Sequence, residues 1–364
     1  MAFTGTLNSN EIYGALFNMI ISQEVFAGNI KGTYASLVNK AKTDGTLYGD
    51  TKLYYATDAL KSHPWGLLDG KTGHMDVEAA NLLSLDRPAA PACQAITIDQ
   101  FRQIRLTVDD YMSKRAWSTE GTFSDFNGVM LGWIKDTKKI YDATLYNAFI
   151  GTAESSVGEQ EVEVNITEAT TGLTGREKDE AEAKVIAREI ADLMVAMKDV
   201  SRDYNDYEFL RSYDDEEIKI IWNSKWVTKI RKIDLPTIFH KEGLVDKFAE
   251  EVLPARYFGT VKEAEGEGDG SVRTLVEKDY DGEHLFPGDL IPEGAKYEAN
   301  EAYTEDPSII CKVVVKLPPY MSAFEVGTSF YNPRSLTENH YLTFGHNTLE
   351  YLKGYPMITV RAKN

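Results

Sequence analysis

TFSDFNGVMLGWIKDTKKIYDATLYNAFI, residues 122–150, is the stretch on which the reading of this chain turns. Phe123, Phe126, Met130, Trp133, Thr137, Tyr141, Leu145 and Phe149 recur every three or four residues, the period of one helix face. Thr122-x-x-Asp125 has the form of a capping box. The spacing predicts a helix over 118–150. At 1.5 Å per residue the stripe alone runs for about 40 Å, several turns beyond an average helix. Gly128 and Gly132 each cost about 1 kcal/mol of helix propensity against alanine. They mark either a close approach of another chain or a bend. A core-facing stripe accounts for the aromatics; the length points to a strut.

Upstream of the strut the sequence changes character twice. Asn8 or Ser9 caps a predicted helix through Ile12, Leu16, Met19 and Ile20, and a second short helix is expected from Tyr34 to Lys42. Gly28 and Gly32 separate them. This segment has too little apolar surface to fold alone and reads as an arm laid along something else. From 46 to 95, Gly45, Gly49, Gly66, Gly70 and Gly73 with Pro64, Pro88 and Pro91 break every helical period. The stretch reads as an extended excursion, a long hairpin, and excursions of that length are usually functional or ordered by partners. Ile96, Ile98, Phe101, Ile104, Leu106 and Val108 then predict a strand over 95–111.

Downstream, Glu161–Ile166 alternates as a strand. Thr174-x-x-Glu177 opens a helix over 177–199 through Ala183, Ile186, Ile190, Leu193, Met194 and Met197, with acids in its first turn. Ile218–Trp222 is a short buried strand ending at Asn223, and Lys225–Ile233 is helical. Glu263–Gly270 is Gly-rich, acidic and expected to be a mobile surface loop. Strand-like runs follow at Ile309–Val315, Phe324–Tyr331, Asn339–Phe344 and Met357–Val360. There is no internal repeat.

The 364 residues carry 39 Lys plus Arg against 57 Asp plus Glu, a formal charge of -18, with 43% hydrophobic and 26% charged residues. These values fit a soluble globular chain and exclude disordered, fibrous and membrane-spanning classes. The length suggests two or three units. The acidity argues against a dedicated nucleic-acid reader. The first basic residue is Lys31, and the apolar stretch from Ile12 to Ile21 holds Gly14 and Asn18 between Glu11 and Glu24, so neither a signal peptide nor a membrane span is expected. Cys93 and Cys311 form no CxxC pair and are read as buried or semi-buried thiols of a protein folding in a reducing cytoplasm.

Catalytic signatures are weak throughout. Gly266, Gly268 and Gly270 are interleaved with Glu265, Glu267 and Asp269, which repel phosphate, and no Gly-Lys-Ser/Thr follows. Glu277-x-Asp279-x-Asp281-Gly282 has the texture of a calcium loop, but Gly288 stands where a bidentate Glu is needed, so a solvated acidic turn is the better reading. His63, His74, His240, His284, His340 and His346 include no i,i+4 pair on a helix and no HExxH, and are read as structural or surface residues. Asp109-Asp110 is expected at a helix N-terminus or a salt bridge. There is no GxSxG. No catalytic, cofactor-binding or metal-binding residue is assigned, and no cofactor is expected.

The order of these elements, arm, excursion, return strand, very long helix, helix–strand–helix unit and terminal strands, resembles the major capsid protein of tailed double-stranded DNA bacteriophages, the Hong Kong 97-type fold. The phrase Tyr331-Asn-Pro-Arg-Ser-Leu-Thr-Glu-Asn-His-Tyr341 also has the flavour of phage head proteins. The resemblance implies an α+β fold, with an N-terminal arm (1–45) and an extended loop with return strand (46–117). A peripheral domain with its spine helix (118–173), an axial domain (174–304) and returning peripheral strands (305–364) complete it. It implies a non-enzymatic subunit that self-assembles into an icosahedral head around double-stranded DNA. Its implied partners are further copies as pentamers and hexamers, together with portal, scaffolding and decoration proteins, and no membrane. The implied location is the virion, after assembly in the bacterial cytoplasm. Members with a long coiled prodomain differ here, so any scaffold is expected to be a separate protein, and no crosslinking pair carries over. A nanocompartment shell of the same fold and a cytosolic enzyme without a recognisable motif stay open at this point.

Overall fold

The computed structural model describes residues 34–44, 50–60, 87–109, 120–231 and 251–363. The expected arm helix over 12–20 lies outside them. In chain order the first elements are α1 (Ser36–Ala41), β1 (Lys42–Asp44), β2 (Thr51–Ala56), β3 (Ala92–Asp109) and the long helix α2 (Glu120–Thr152). Then come β4 (Glu161–Asn165), α3 (Ile166–Thr170), α4 (Gly175–Lys198), β5 (Lys219–Asn223), α5 (Ser224–Arg231) and β6 (Glu251–Leu253). A run of short strands follows: β7 (Gly259–Val261), β8 (Gly266–Glu267), β9 (Val272–Thr274), β10 (Lys278–Tyr280), β11 (Glu283–Leu285), β12 (Lys296–Tyr297) and β13 (Ala302–Glu305). The chain closes with β14 (Ile309–Val314), β15 (Tyr320–Asn332), β16 (Thr337–Asn347) and β17 (Met357–Lys363). The α+β class holds.

One five-stranded sheet has the order β4-β17-β14-β5-β6. Its central strands β17, β14 and β5 are short, mostly apolar runs buried on both faces, because a helix covers each side. Side chains alternate across it. Ile220, Trp222, Val313, Ile358 and Val360 pack against Ile186, Ile190, Leu193 and Met197 of α4. Ile221, Val314 and Met357 face Tyr146 and Ile150 of α2, with Leu37 and Val38 of α1 in the same cluster. β5, from the segment expected to be axial, thus lies beside β14, from the segment expected to be peripheral.

The second five-stranded sheet has the order β1-β15-β16-β3-β2. The 18-residue β3 belongs to two ladders. Its first half pairs antiparallel with β2, Ala92 opposite Ala56 and Thr97 opposite Thr51. Its second half pairs with β16, Ile98 opposite Asn347 through Asp109 opposite Thr337. The excursion is therefore a hairpin at its base, as its Gly and Pro pattern predicts.

Four local readings need correction. α2 starts at Glu120, so Thr122 lies in the first turn and is not the N-cap. The buried face of α2 is also rotated from the predicted stripe: Trp133 is exposed, whereas Ile134, Lys138, Tyr141, Asp142, Tyr146 and Ile150 are buried. The side chains of Phe123, Phe126 and Met130 lie outside those described. The cause is that Lys138 and Asp142 satisfy each other, which lets two charged residues occupy core positions that a hydrophobic template assigns outward. Thr174 does sit at the N-cap of α4 with extended backbone, but its side chain makes no capping hydrogen bond.

The last of these corrections concerns Glu263–Gly270, which is no mobile loop. It belongs to a small β unit inserted between β6 and β14, with its own core of Val272, Tyr280, Ile291, Ala295, Tyr297 and Ala302. Gly266 and Gly268 serve close packing: a Cβ on Gly266 would collide with the Tyr297 ring, and one on Gly268 with the backbone carbonyl of Pro292. A similar fit joins this unit to the strut. Gly151, in the last turn of α2, lies against the Tyr257 carbonyl with no room for any side chain. At Gly132 a Cβ would meet no described residue within 4 Å, so no close approach among the described residues explains that glycine.

Candidate assembly surfaces

The long strands leave the core behind. Ile96, Ile98, Met321 and Ala323 bury the root of the second sheet. Beyond it, no described side chain of β3 from 99 to 107, or of the β15–β16 hairpin from 325 to 343, is buried. Val326 is 46% and Phe330 60% exposed, and Phe101, Tyr331 and Leu336 are exposed as well. A three-stranded antiparallel sheet normally buries one face to be stable. This one is held by its ladders and by cross-strand polar pairs, Gln103 Nε2 to Thr343 Oγ1 at 3.1 Å and Thr107 Oγ1 to Asn339 Oδ1 at 2.6 Å. Gly345 lets the Phe101 ring lie across the neighbouring strand, since a Cβ there would press into the ring.

A buried polar network fixes this sheet to the strut. Asp142, 2% exposed, accepts from Lys138 Nζ at 2.8 Å and from the Tyr320 hydroxyl at 2.6 Å, with Lys42 Nζ 3.3 Å away. Burial, then the Asp142 charge, pushes the Tyr320 hydroxyl pKa far up. The next residue, Tyr141, meets His346 Nε2 at 2.6 Å, while His346 Nδ1 lies 2.9 Å from the Asn347 carbonyl. A carbonyl only accepts, so the Nδ1 proton is donated to it and Nε2 accepts from the tyrosine: a neutral imidazole. Burial raises the Tyr141 pKa to about 12 and lowers that of His346. Asn347 completes the seam by accepting from Met321 N and donating to the Pro319 carbonyl.

The His346 shift has a definite sign. A folded pKa below the ordinary 6.5 means that the unfolded chain takes up the proton first as pH falls. Above pH 6.5 His346 has no pH-dependent effect; below it, the folded state loses stability. We expect the unassembled wild-type subunit to lose stability relative to His346→Gln between pH 6.5 and 5, by at most about 1.4 kcal/mol per pH unit, and to run parallel to it at pH 7–8. Urea midpoints across that range check this; parallel curves down to pH 5 would discard it.

A second attachment holds the base of the excursion. Asp58 accepts from Leu210 N at 3.0 Å and from Arg202 at 2.9 Å, and these contacts hold its carboxyl pKa down at about 2. Arg211 donates to the Thr57 carbonyl at 2.8 Å. The chain therefore leaves β2 pinned to the 201–211 loop.

The candidate residues from sequence do not converge. Asp109 ends β3 opposite Thr337, and Asp110 lies outside the described residues. Asp281 and Gly282 both have positive φ, 49° and 89°, between Tyr280 and Glu283 of a two-residue hairpin. This is the Asp-Gly turn that matches strand twist, and the acidic-turn reading holds there. His284 Nδ1 lies 2.7 Å from Asp279 and Nε2 3.0 Å from Glu277. His340 is 3.9 Å from Glu338; His63, His74 and His240 lie outside the described residues. Among the described residues no three His, Cys, Asp or Glu groups come together to hold a metal. Cys311 is buried and its thiol pKa pushed up. Cys93 is exposed, against expectation, because it lies on the outward side of the β2–β3 hairpin. What the sequence reading missed is the Asp142–Tyr320–His346 seam, whose members come from three distant segments. No described helix is long and apolar enough to cross a membrane.

Comparison with known proteins agrees with this architecture. The capsid structure of Staphylococcus phage Andhra is similar with a TM-score of 0.59 at 11% identity, covering 90% of this chain and 84% of that one. A structure of the head fiber and inner core protein gp22 of bacteriophage P68 is similar with a TM-score of 0.54 at 10% identity, covering 88% and 82%. These likenesses show the Hong Kong 97-type capsid fold. No curated protein matches significantly. The model of one family matches residues 4–349, nearly the whole length. A chain whose long sheet runs on beyond its buried root, and which exhibits this fold, belongs to the Phi29-like phage major capsid protein family.

Proposed function

We propose that this structural shell subunit closes into an icosahedral head of pentamers and hexamers around double-stranded DNA. Its further partners would be portal, scaffolding and decoration proteins, and assembly would take place in the host cytoplasm. The observation that carries the reading is the sheet formed by 99–107 and 325–343, in which no described side chain is buried. Apolar groups left in water, Val326 and Phe330 among them, gain about 25 cal/mol per Å² when a neighbour covers them. The charge of -18 suits a wall that contains DNA without gripping it, provided the acids face inward.

The segment roles follow the same proposal: arm 1–45, extended loop 46–117, peripheral 118–173 and 305–364, axial 174–304. The division by chain order and the division by sheet differ at two strands, since β14 and β17 come from the final segment yet build the sheet that contains β5. In this reading the axial sheet is completed by the returning chain.

The test separates folding from assembly. Val326→Asp with Phe330→Asp places charges where neighbours would pack. Far-ultraviolet circular dichroism and the urea midpoint should match wild type, since neither side chain has a core contact to lose. Sedimentation and negative-stain imaging under assembly conditions should show shells for wild type and only small species for the variant. Shells of normal yield from the double variant would refute the role of this sheet.

A further inference from the structure

An open cleft of about 290 Å³ lies at the base of β2, and Tyr54, Tyr55, Tyr207 and Tyr355 line it. Tyr213 also lines it; that residue is 5% exposed, and its hydroxyl has no hydrogen-bond partner among the described residues. A buried hydroxyl without a partner is costly, about 1–3 kcal/mol, and such groups are few in native proteins. Glu217, exposed on the same cleft, forms no ion pair among the described residues.

The same chain displays a matching ligand. Arg87-Pro88-Ala89-Ala90-Pro91 is exposed at all five positions and belongs to no helix or strand. Proline fixes φ near −65°, and the residue before a proline is restricted to extended conformations. A Pro-x-x-Pro segment is therefore biased toward polyproline II before it binds, and aromatic-lined grooves recognise that shape. Arg87 precedes the first proline and complements Glu217 in charge. None of the five lines the cleft, although Ala56, the strand partner of Ala92, does. Receptor and ligand are thus adjacent in one chain and not joined. Pro91 is bonded to Ala92, which the ladder fixes opposite Ala56, so the segment runs on past the strand end instead of turning back into the cleft.

We propose that this tyrosine cleft receives the Pro88–Pro91 segment of a second copy, with Arg87 paired to Glu217 and the Tyr213 hydroxyl donating to a carbonyl of the bound segment. The inference rests on the shell role, which holds copies at high effective concentration so that a weak contact suffices. Its recognition step can be tested without a shell. A synthetic peptide of residues 86–92 titrated into the unassembled full-length chain should give a saturable change in tyrosine fluorescence. Binding should weaken roughly tenfold, or about 1.4 kcal/mol, on Tyr207→Ala and on replacing both prolines of the peptide by alanine. The surface variant Glu217→Lys, which loses no core contact, should weaken it several-fold. No saturable binding, or binding indifferent to all three changes, would overturn the cleft assignment.

The second-copy step has its own measurement. With Cys311 buried, Cys93 is the accessible thiol, two residues from Pro91. A photo-crosslinker on Cys93 in shells assembled from mixed light and heavy isotope chains should join light to heavy chains at cleft residues, and this product should fall in the Pro88→Ala/Pro91→Ala protein. Shells that form without any light–heavy product at the cleft would overturn the second-copy assignment while leaving the shell role standing.

Discussion

Asp142→Ala is expected to lower the stability of the unassembled subunit by about 3–5 kcal/mol, against a total of about 5–15 kcal/mol for a typical protein. Lys138 is 5% exposed and Asp142 2%, and their contact of 2.8 Å is complemented by the Tyr320 hydroxyl. Removing the carboxylate strands a buried ammonium beside the Phe344 ring, 5.2 Å from its centroid, and leaves the Tyr320 hydroxyl without its acceptor. Two desolvation costs then stand unopposed. Lys42 and Glu325 do not compensate: Lys42 brings a further positive charge, and Glu325 is exposed and 3.6 Å from Lys138. The double variant Lys138→Met/Asp142→Asn keeps an acceptor for Tyr320 and removes the buried charge. It should recover most of the loss, because a hydrophobic replacement of a buried ion pair is often neutral. Urea denaturation of the three proteins at pH 7 decides it; an Asp142→Ala midpoint within error of wild type would show that water reaches this seam and that the pair contributes little.

That seam also shows why part of this molecule was legible in sequence and part was not. Periodicity found α2, α4, β5 and the terminal strands, because each buries a face and burial imposes a repeat of 3.6 or 2. Gly and Pro punctuation found the hairpin of β2 and β3. The rotated face of α2 escaped, since Lys138 and Asp142 look like solvent-facing residues until Tyr320 and His346 arrive from about 180 to 200 positions later. Glu263–Gly270 escaped for a different reason. Glycine permits both mobility and close backbone approach, and only the Tyr297 ring and the Pro292 carbonyl reveal which one applies at Gly266 and Gly268. Phe324–Tyr331 and Asn339–Phe344 read as ordinary strands, since alternation cannot tell a face covered by the chain's own core from one left for a neighbour. The Hong Kong 97-type reading came from the order of elements, which survives at 11% identity because topology is set by burial and ladders more than by particular residues.

Lys312 makes the other large effect, and its sign is unusual. It sits in β14, an otherwise apolar run, and is 0% exposed. Its Nζ donates to the Ala153 carbonyl just past the C-terminus of α2 and to Thr359 Oγ1 of β17, both at 2.8 Å. Burial lowers its pKa from 10.5 to about 8, and Glu154, the second contribution, only partly opposes this. Arg361, which joins Glu154, Glu161 and Asp306, draws much of the nearby negative charge to itself. Below pH 8 folded and unfolded chains both hold the proton, and the contribution is flat. Between pH 8 and 10.5 the unfolded chain keeps the proton that the folded chain has released, so stability rises with pH. A displacement of this size amounts to about 3 kcal/mol at 1.36 kcal/mol per unit. Lys312→Met removes the titration. The stability of wild type minus that of Lys312→Met should therefore grow by about 3 kcal/mol from pH 7 to pH 10.5, while tyrosine and surface lysine titrations cancel in the difference. At pH 7 the variant gives up two hydrogen bonds but no longer buries a charge, so the two proteins should lie close together there. Denaturant midpoints at one-unit intervals from pH 7 to 10 measure the difference, and a constant offset over that range would mean that the lysine is solvated in the folded subunit. The neutral amine still donates to both partners. The tie between the end of the strut and the sheet thus persists when the charge is lost, and alkaline conditions should tighten this joint while they loosen surface ion pairs made by lysines.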